Sequence, residues 1–239
     1  MLDIELHPKQ FVFQFEQSPM KTTLLKIVLL SLWAATPSLF AGSHGDHDWK
    51  PLFNGKTLAG WGVVQGYANY HVEDGAILGR TAEDSPNTFL TTYDKYGNFE
   101  LKFEVKVDEG LNSGVQIRSH SRDFGTRRYF GTQVEIETSP GQSGFIYGEG
   151  LNTGWVSKEP NEGASHKYVK NDDWNEFHII AKGDTITTFI NGKQVTKLKL
   201  PRNVYRESPS GSIGLQVHGI KAGTGPYEVR WRNIKIKEL

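Results

Sequence analysis

The 239-residue chain carries 27 basic and 27 acidic residues, and it has no cysteine. That balance excludes the basic footprint of a nucleic-acid binder or of a protein held on an anionic membrane, and the missing thiols exclude disulfides, thiolate metal sites and a cysteine-linked lipid anchor. With 26 glycines and 12% aromatic residues, the composition suits an all-β domain rich in turns rather than a helical bundle.

The first segment is read as a leader, residues 1–41. From Met20, the expected true start, Lys21 and Lys26 precede an apolar run from Ile27 to Ala35, and Leu39, Phe40 and Ala41 close the segment. This is the three-part layout of a secretory signal peptide, too short in its apolar part to span a bilayer, with cleavage expected after Ala41. A secreted or periplasmic protein follows, with no stable membrane insertion once the signal is removed. Residues 42–48 form a polar tail; His44, Asp46, His47 and Asp48 are suitable metal ligands by type, but nothing fixes their geometry and a solvated tail is expected. Residues 49–239 are expected to form a single domain. That length buries enough surface for a core to hold without cross-links.

From Trp49 onward, short alternating segments are separated by glycine and asparagine. Asp74-Gly75 and Asn191-Gly192, each between apolar runs, predict two tight hairpins. Between them, Phe99, Leu101, Phe103, Val105 and Val107 alternate with Glu100, Lys102, Glu104 and Lys106, the pattern of a strand with one buried and one wet face. The segments NSGVQIRS, TQVEIET, WNEFHIIAKG, GSIGLQVHG and YEVRWRNIKIKEL supply further strands. The spacing predicts two antiparallel sheets packed as a jelly-roll sandwich. Residues Gly148 to Asp173, rich in Gly, Asn, Ser and charge, read as one long loop.

Three of these segments share an unusual pattern. Val115 and Ile117, Val134 and Ile136, and Ile213, Leu215 and Val217 form apolar faces, leaving opposite them Gly114, Gln116 and Arg118, then Gln133, Glu135 and Glu137, then Gly214, Gln216 and His218. Ordinary wet faces use Lys, Glu and Thr. Glycine inside a strand marks the close approach of a ligand or of another backbone, so the three strands are expected to line a concave binding groove. Amides and carboxylates offer mixed donors and acceptors to sugar hydroxyls, and Trp61, Tyr67, Tyr147 and Trp155 are candidates to stack on a ring.

The segments WKPLFNGKTLAGWGVVQG, HVEDGAILGR, FLTTYDKYGNFELKFEVKV, LNSGVQIRS, WNEFHIIAKGDTITTFINGKQV, GSIGLQVHG and VRWRNIKIKEL, taken in order over about residues 49–239, resemble the 3-keto-disaccharide hydrolase family, long labelled only as a domain of unknown function. The resemblance implies a concanavalin A-like sandwich, export, and action as a hydrolase or lyase on glycosides whose C3 hydroxyl has been oxidised to a ketone. In the acidic strand GTQVEIETS and the loop GFIYGEG the chain resembles the branch of the family with an acidic strand and a Tyr-x-Glu loop.

A C3 ketone acidifies the proton on C2; a base removes it, the enolate expels the glycosidic oxygen from C1, and water adds to the product. This requires a carboxylate or imidazole base and a donor or cation at the ketone oxygen. Glu135 is the expected base, Arg118 or His218 the enolate stabiliser, and Glu137 or Glu149 the group that protonates the leaving oxygen. Asn112, Gln116, Gln133, Gln216, Tyr147 and Trp155 would bind substrate. A divalent metal cation held by Glu135, Glu137 and His218 could replace the arginine. No other cofactor is implied. The partners are an oligosaccharide or glycoside substrate and an oxidoreductase supplying the ketone. Two alternatives stand beside this reading: a non-catalytic, lectin-like carbohydrate-binding module, and a classical two-carboxylate glycoside hydrolase using Glu135 and Glu137.

Overall fold

The computed structural model describes residues 48–121, 128–157 and 167–239; the expected leader and signal peptide, residues 1–41, and residues 42–47 of the expected tail lie outside them. The strands are β1 Lys50–Pro51, β2 Trp61–Gln65, β3 Asn69–Glu73, β4 Ala76–Arg80, β5 Thr88–Thr92, β6 Phe99–Val107, β7 Asn112–Ser121 and β8 Tyr129–Glu137. They continue as β9 Ile146–Glu149, β10 Gly154–Trp155, β11 Asn175–Lys182, β12 Thr185–Ile190, β13 Lys193–Lys199, β14 Ser212–Val217 and β15 Glu228–Glu238, with one short helix, α1 Arg202–Glu207. Two antiparallel sheets result. The first runs β13-β12-β11-β6-β15-β4-β3, with β1 also paired to β15; the second runs β10-β9-β8-β7-β14-β5-β2. This is the expected jelly-roll sandwich. No helix among the described residues is long and apolar enough to cross a membrane.

The alternating segments dictate the layers. Along β6 every second residue from Phe99 to Val107 is buried, and these side chains meet Val115, Ile117, Val134, Ile136, Ile213, Leu215 and Val217 of the second sheet in one core. Both expected hairpins form, joining β3 to β4 and β12 to β13, with positive φ at Asp74 and Gly75 (49° and 75°) and at Asn191 and Gly192 (48° and 75°). Those angles suit the two-residue turn whose twist matches its strands. Tyr70 on β3 reaches across the core, its hydroxyl 2.8 Å from both Thr88 O and Leu215 O in the opposite sheet.

The loop expected from Gly148 to Asp173 does not hold at its start. Gly154 and Trp155 pair with Gly148 and Tyr147, so β9 and β10 form a hairpin at the edge of the second sheet. Glycine and asparagine there serve the turn at 150–153 rather than a long excursion; residues 158–166 of the same stretch are outside the described residues.

Candidate active site

Register places the polar groups of the second sheet on its outer face. Gln133 lies opposite Gln116 and Tyr147, Glu135 opposite Gly114, Glu137 opposite Asn112, and Gln216 opposite Gly114 on the other side. An outward face would ordinarily be wet, yet Gln116, Gln133, Glu135 and Gln216 are at most 4% exposed. The face is therefore a hollow. A polar floor is built in it: the Gln133 amide lies across Gly114, where an added Cβ would come within 2.6 Å of Gln133 Cδ. The sequence suggested that Gly114 admits a ligand; it admits a neighbouring side chain, which then reaches Glu135.

Glu135 is the centre of this arrangement. Gln133 Nε2 donates to its Oε2 (3.1 Å) and toward Gln216 Oε1 (3.4 Å), while Asn112 Nδ2 donates to Glu135 Oε1 and, at 2.8 Å, to Glu137 Oε1. Burial pushes the Glu135 carboxyl up to about 7, against the pull of the Gln133 and Asn112 hydrogen bonds and with help from the charges of Glu137 and Glu149. Gln116 has neither amide atom paired, and Gln133 Oε1 also lacks a partner. Buried amide groups without partners are costly, and ones gathered beside a poised carboxylate are the signature of a site built to receive hydrogen bonds.

Glu149, half-buried on β9, faces the same hollow. Its carboxyl is held above its ordinary range by burial, offset by the charges of Arg128 and His218 and by a hydrogen bond from Asn87. His218 follows the end of β14, its Nδ1 2.7 Å from Gly219 O. A carbonyl only accepts, so Nδ1 carries hydrogen and Nε2 is the nitrogen left to exchange a proton. Tyr147 and Trp155 stand on the same face at the β9–β10 edge, their rings at 74° with centroids 5.4 Å apart, and Trp155 is 38% exposed.

Four expectations need correction. Arg118 does not enter the hollow. Between Ile117 and His120, β7 carries one more residue than either neighbour, and Arg118 takes φ 52° in that bulge. An inserted residue reverses which side the following side chain faces. The guanidinium crosses to the first sheet and donates to Gly97 O (2.6 Å), Gly183 O (2.7 Å) and Asn98 Oδ1 (3.3 Å), with the Tyr205 ring of α1 5.6 Å away. Among the described residues, no three His, Asp or Glu side chains gather closely enough to hold a metal ion, so Glu135, Glu137 and His218 do not fit as a ligand set. The Asn112 amide stands between the two carboxylates and presents hydrogens where a cation needs lone pairs. Asn112 itself is a clamp on carboxylates rather than a group reserved for sugar. Among the stacking candidates, Trp61 is buried, with Nε1 donating to Leu52 O at 2.8 Å, and Tyr67 is exposed in the β2–β3 connection, its hydroxyl on Asp84 O.

Sequence reasoning missed the roof. Beyond the bulge, the first residues of β8 turn back over the polar face, since the Tyr129 N–H donates to Gln65 Oε1 (2.8 Å) although β2 lies four strands from β8 along the sheet. Neighbouring strands stand about 4.8 Å apart, so a flat sheet could not make this contact. Gly131 permits the bend, with φ 153° and no room for a Cβ, which would sit 2.1 Å from Ser119 Oγ. The buried Tyr129 ring covers Gly214 and packs on Phe89 with centroids 5.0 Å apart, its hydroxyl 2.8 Å from Ser212 Oγ. Arg128 and Asn87 enter the site beside it through Glu149. No periodicity marks any of the three; only the bend brings them in.

Comparison with known proteins agrees with this architecture. A family described as a 3-keto-alpha-glucoside-1,2-lyase-like domain matches residues 48–237. A 3-keto-disaccharide hydrolase of Bacteroides thetaiotaomicron is 37% identical over 75 residues, which is 27% of this chain and 25% of that protein. The aligned part thus spans about a quarter of the relative. A structure from Parabacteroides distasonis, named as a presumed glycosyl hydrolase, is 26% identical with a TM-score of 0.53, covering 80% of this chain and 99% of the other. A Bacillus licheniformis β-glucanase shares the fold at 14% identity, with a TM-score of 0.54 over 80% and 97% of the two chains.

Proposed function

Because the chain belongs to the 3-keto-alpha-glucoside-1,2-lyase-like domain family, we propose that it cleaves the glycosidic bond of sugars carrying a ketone at C3, with Glu135 as the base. The observation that carries this reading is a carboxyl sealed in the hollow, raised to about 7 and held on both oxygens by amides. A base of that strength is half-ionised near neutral pH, the poise that proton abstraction favours.

In this reading Glu135 takes the C2 proton, and the C2–H electron pair becomes the enolate double bond while the ketone oxygen gains charge. The enolate then reforms the ketone, a C1–C2 double bond forms, and the C1–O bond breaks toward the leaving oxygen. That oxygen takes a proton from Glu149 or His218, and addition of water across C1–C2 returns a 3-keto sugar. With Arg118 engaged elsewhere, the charge on the ketone oxygen falls to the unpaired Gln116 amide and to His218. Such donors, fixed before reaction in a water-poor hollow, are the efficient kind. In this reading an oxidoreductase supplies the ketone, and the signal-like leader supports a reaction outside the cytoplasm.

The two-carboxylate alternative is disfavoured because Glu135 and Glu137 project from one strand and share one amide donor, so they cannot flank a bond. A lectin gains nothing from a buried carboxyl lifted toward neutrality. The deciding experiment pairs a 3-keto-glucoside with its unoxidised parent and with the Glu135→Gln variant. Wild type should cleave the keto form alone, and the variant should bind it without turnover. Equal cleavage of the unoxidised sugar would overturn the elimination.

A further inference from the structure

The hollow is not symmetrical about Glu135. Along one line of registered residues the floor runs from Glu135 over Gly114 to Gln216 and then reaches Phe89 on β5. That is two strand spacings, about 10 Å, from the carboxylate strand to the last polar floor residue. There the floor stops being polar. The Tyr129 ring lies on Phe89 and over Gly214, anchored at its hydroxyl by Ser212 Oγ and at its backbone by Gln65 Oε1. It is 1% exposed, and so packed rather than swinging at the surface. In the opposite direction the floor passes Gln133 and Tyr147 and ends at the exposed edge strand carrying Trp155.

Gly214 makes this closure local and specific. An added Cβ would come within 2.7 Å of Tyr129 Cε1, so the bare backbone of β14 is the seat of the ring. Without that ring, the floor would extend over Gly214 toward Thr91 in the same register, as far as the exposed Tyr93 ring that lies over Gly62. A through-going groove would let a chain of sugars lie across the sheet.

We propose that Tyr129 is a specificity-determining residue that makes the hollow blind, so that the site accepts an oxidised sugar only when it is the terminal unit of its chain. This rests on the reading of Glu135 as the base that acts on a 3-keto unit. The ring over Gln116 and Gln133 is then the last one the site can hold, and the remainder of the substrate leaves past Trp155.

The test uses two isomeric 1,4-linked trisaccharides, one with the ketone on the non-reducing terminal unit and one with it on the middle unit. Turnover is measured for the wild type, and binding is measured by calorimetry in the Glu135→Gln background. Wild type should favour the terminal isomer at least 100-fold, Tyr129→Ala should cut that ratio tenfold or more by gaining the internal isomer, and Tyr129→Phe, which keeps the ring, should retain it. Tyr129→Leu serves if the alanine variant does not fold. Comparable turnover of both isomers by wild type, or a ratio unmoved in the folded alanine or leucine variant, would overturn the proposal while leaving the elimination reading intact. If neither isomer is cleaved but only the terminal one binds, the elimination reading falls and the blind hollow stands; if neither binds, both fall.

Discussion

At neutral pH the Glu135 carboxyl stands near the midpoint of its titration, because burial opposes its charge more strongly than two amides favour it. Activity dependent on the ionised form should rise with pH through about 7 and level off above it, as read from kcat/KM against pH. Stability moves the other way. The folded-state value lies above the ordinary carboxylate value of 4.5, so the folded protein keeps a proton that the unfolded chain releases, and stability falls as pH rises from about 4.5 to 7. The loss is on the order of 3 kcal/mol. Glu135→Gln should shrink this slope: the difference between denaturant unfolding at pH 5 and at pH 8 should be clearly smaller in the variant than in wild type, while turnover drops by about 10²- to 10⁴-fold. Gly114→Ala tests the support beneath. Displacing Gln133 frees Glu135 Oε2, so kcat should fall roughly tenfold or more, by the 1–2 kcal/mol of a charge-assisted bond. Glu135, Gln133 and Gln116 could be read from their alternation with Val134, Ile136 and Val115, since a regular strand has period two. The role of Gly114 could not, because the atom that occupies its space comes from another strand.

At the level of single elements, one inserted residue in β7 decides what Arg118 does. The sequence RS after VQI carries no mark of the insertion, and a regular strand would have aimed the guanidinium at Glu135. The structure instead gives it two carbonyls and an amide oxygen at the rim between the sheets. Arg118→Met should therefore destabilise the protein by roughly 3 kcal/mol, the scale of hydrogen bonds to a charged group. Assayed well below its melting temperature, it should keep kcat/KM within about twofold, an outcome a catalytic arginine would not allow. The Asp74-Gly75 and Asn191-Gly192 hairpins were legible for the opposite reason: their signal is local and complete in two residues. The bend at Gly131 lies between, a glycine visible in the sequence whose meaning depends on Ser119 facing it from β7.

Across the whole molecule, the sandwich is joined by apolar packing together with a few polar crossings. Tyr70 is one of them, a hydroxyl from β3 set between two carbonyls of the other sheet. Tyr70→Phe should remove this crossing and cost about 0.5–1.5 kcal/mol, seen as a lower unfolding midpoint with unchanged m-value. The order of the strands could not have been read from their alternation, because it is set by pairings distant in sequence. The clearest case is β15. Its eleven residues, the C-terminal strand of the described chain, lie in the middle of the first sheet, between β6 on one edge and β4 with β1 on the other. The strands on either side meet only through it, so without β15 the first sheet is two separate pieces, β13-β12-β11-β6 and β4-β3, with β1 unpaired. Deleting residues 228–239 should accordingly abolish cooperative melting altogether rather than trim it.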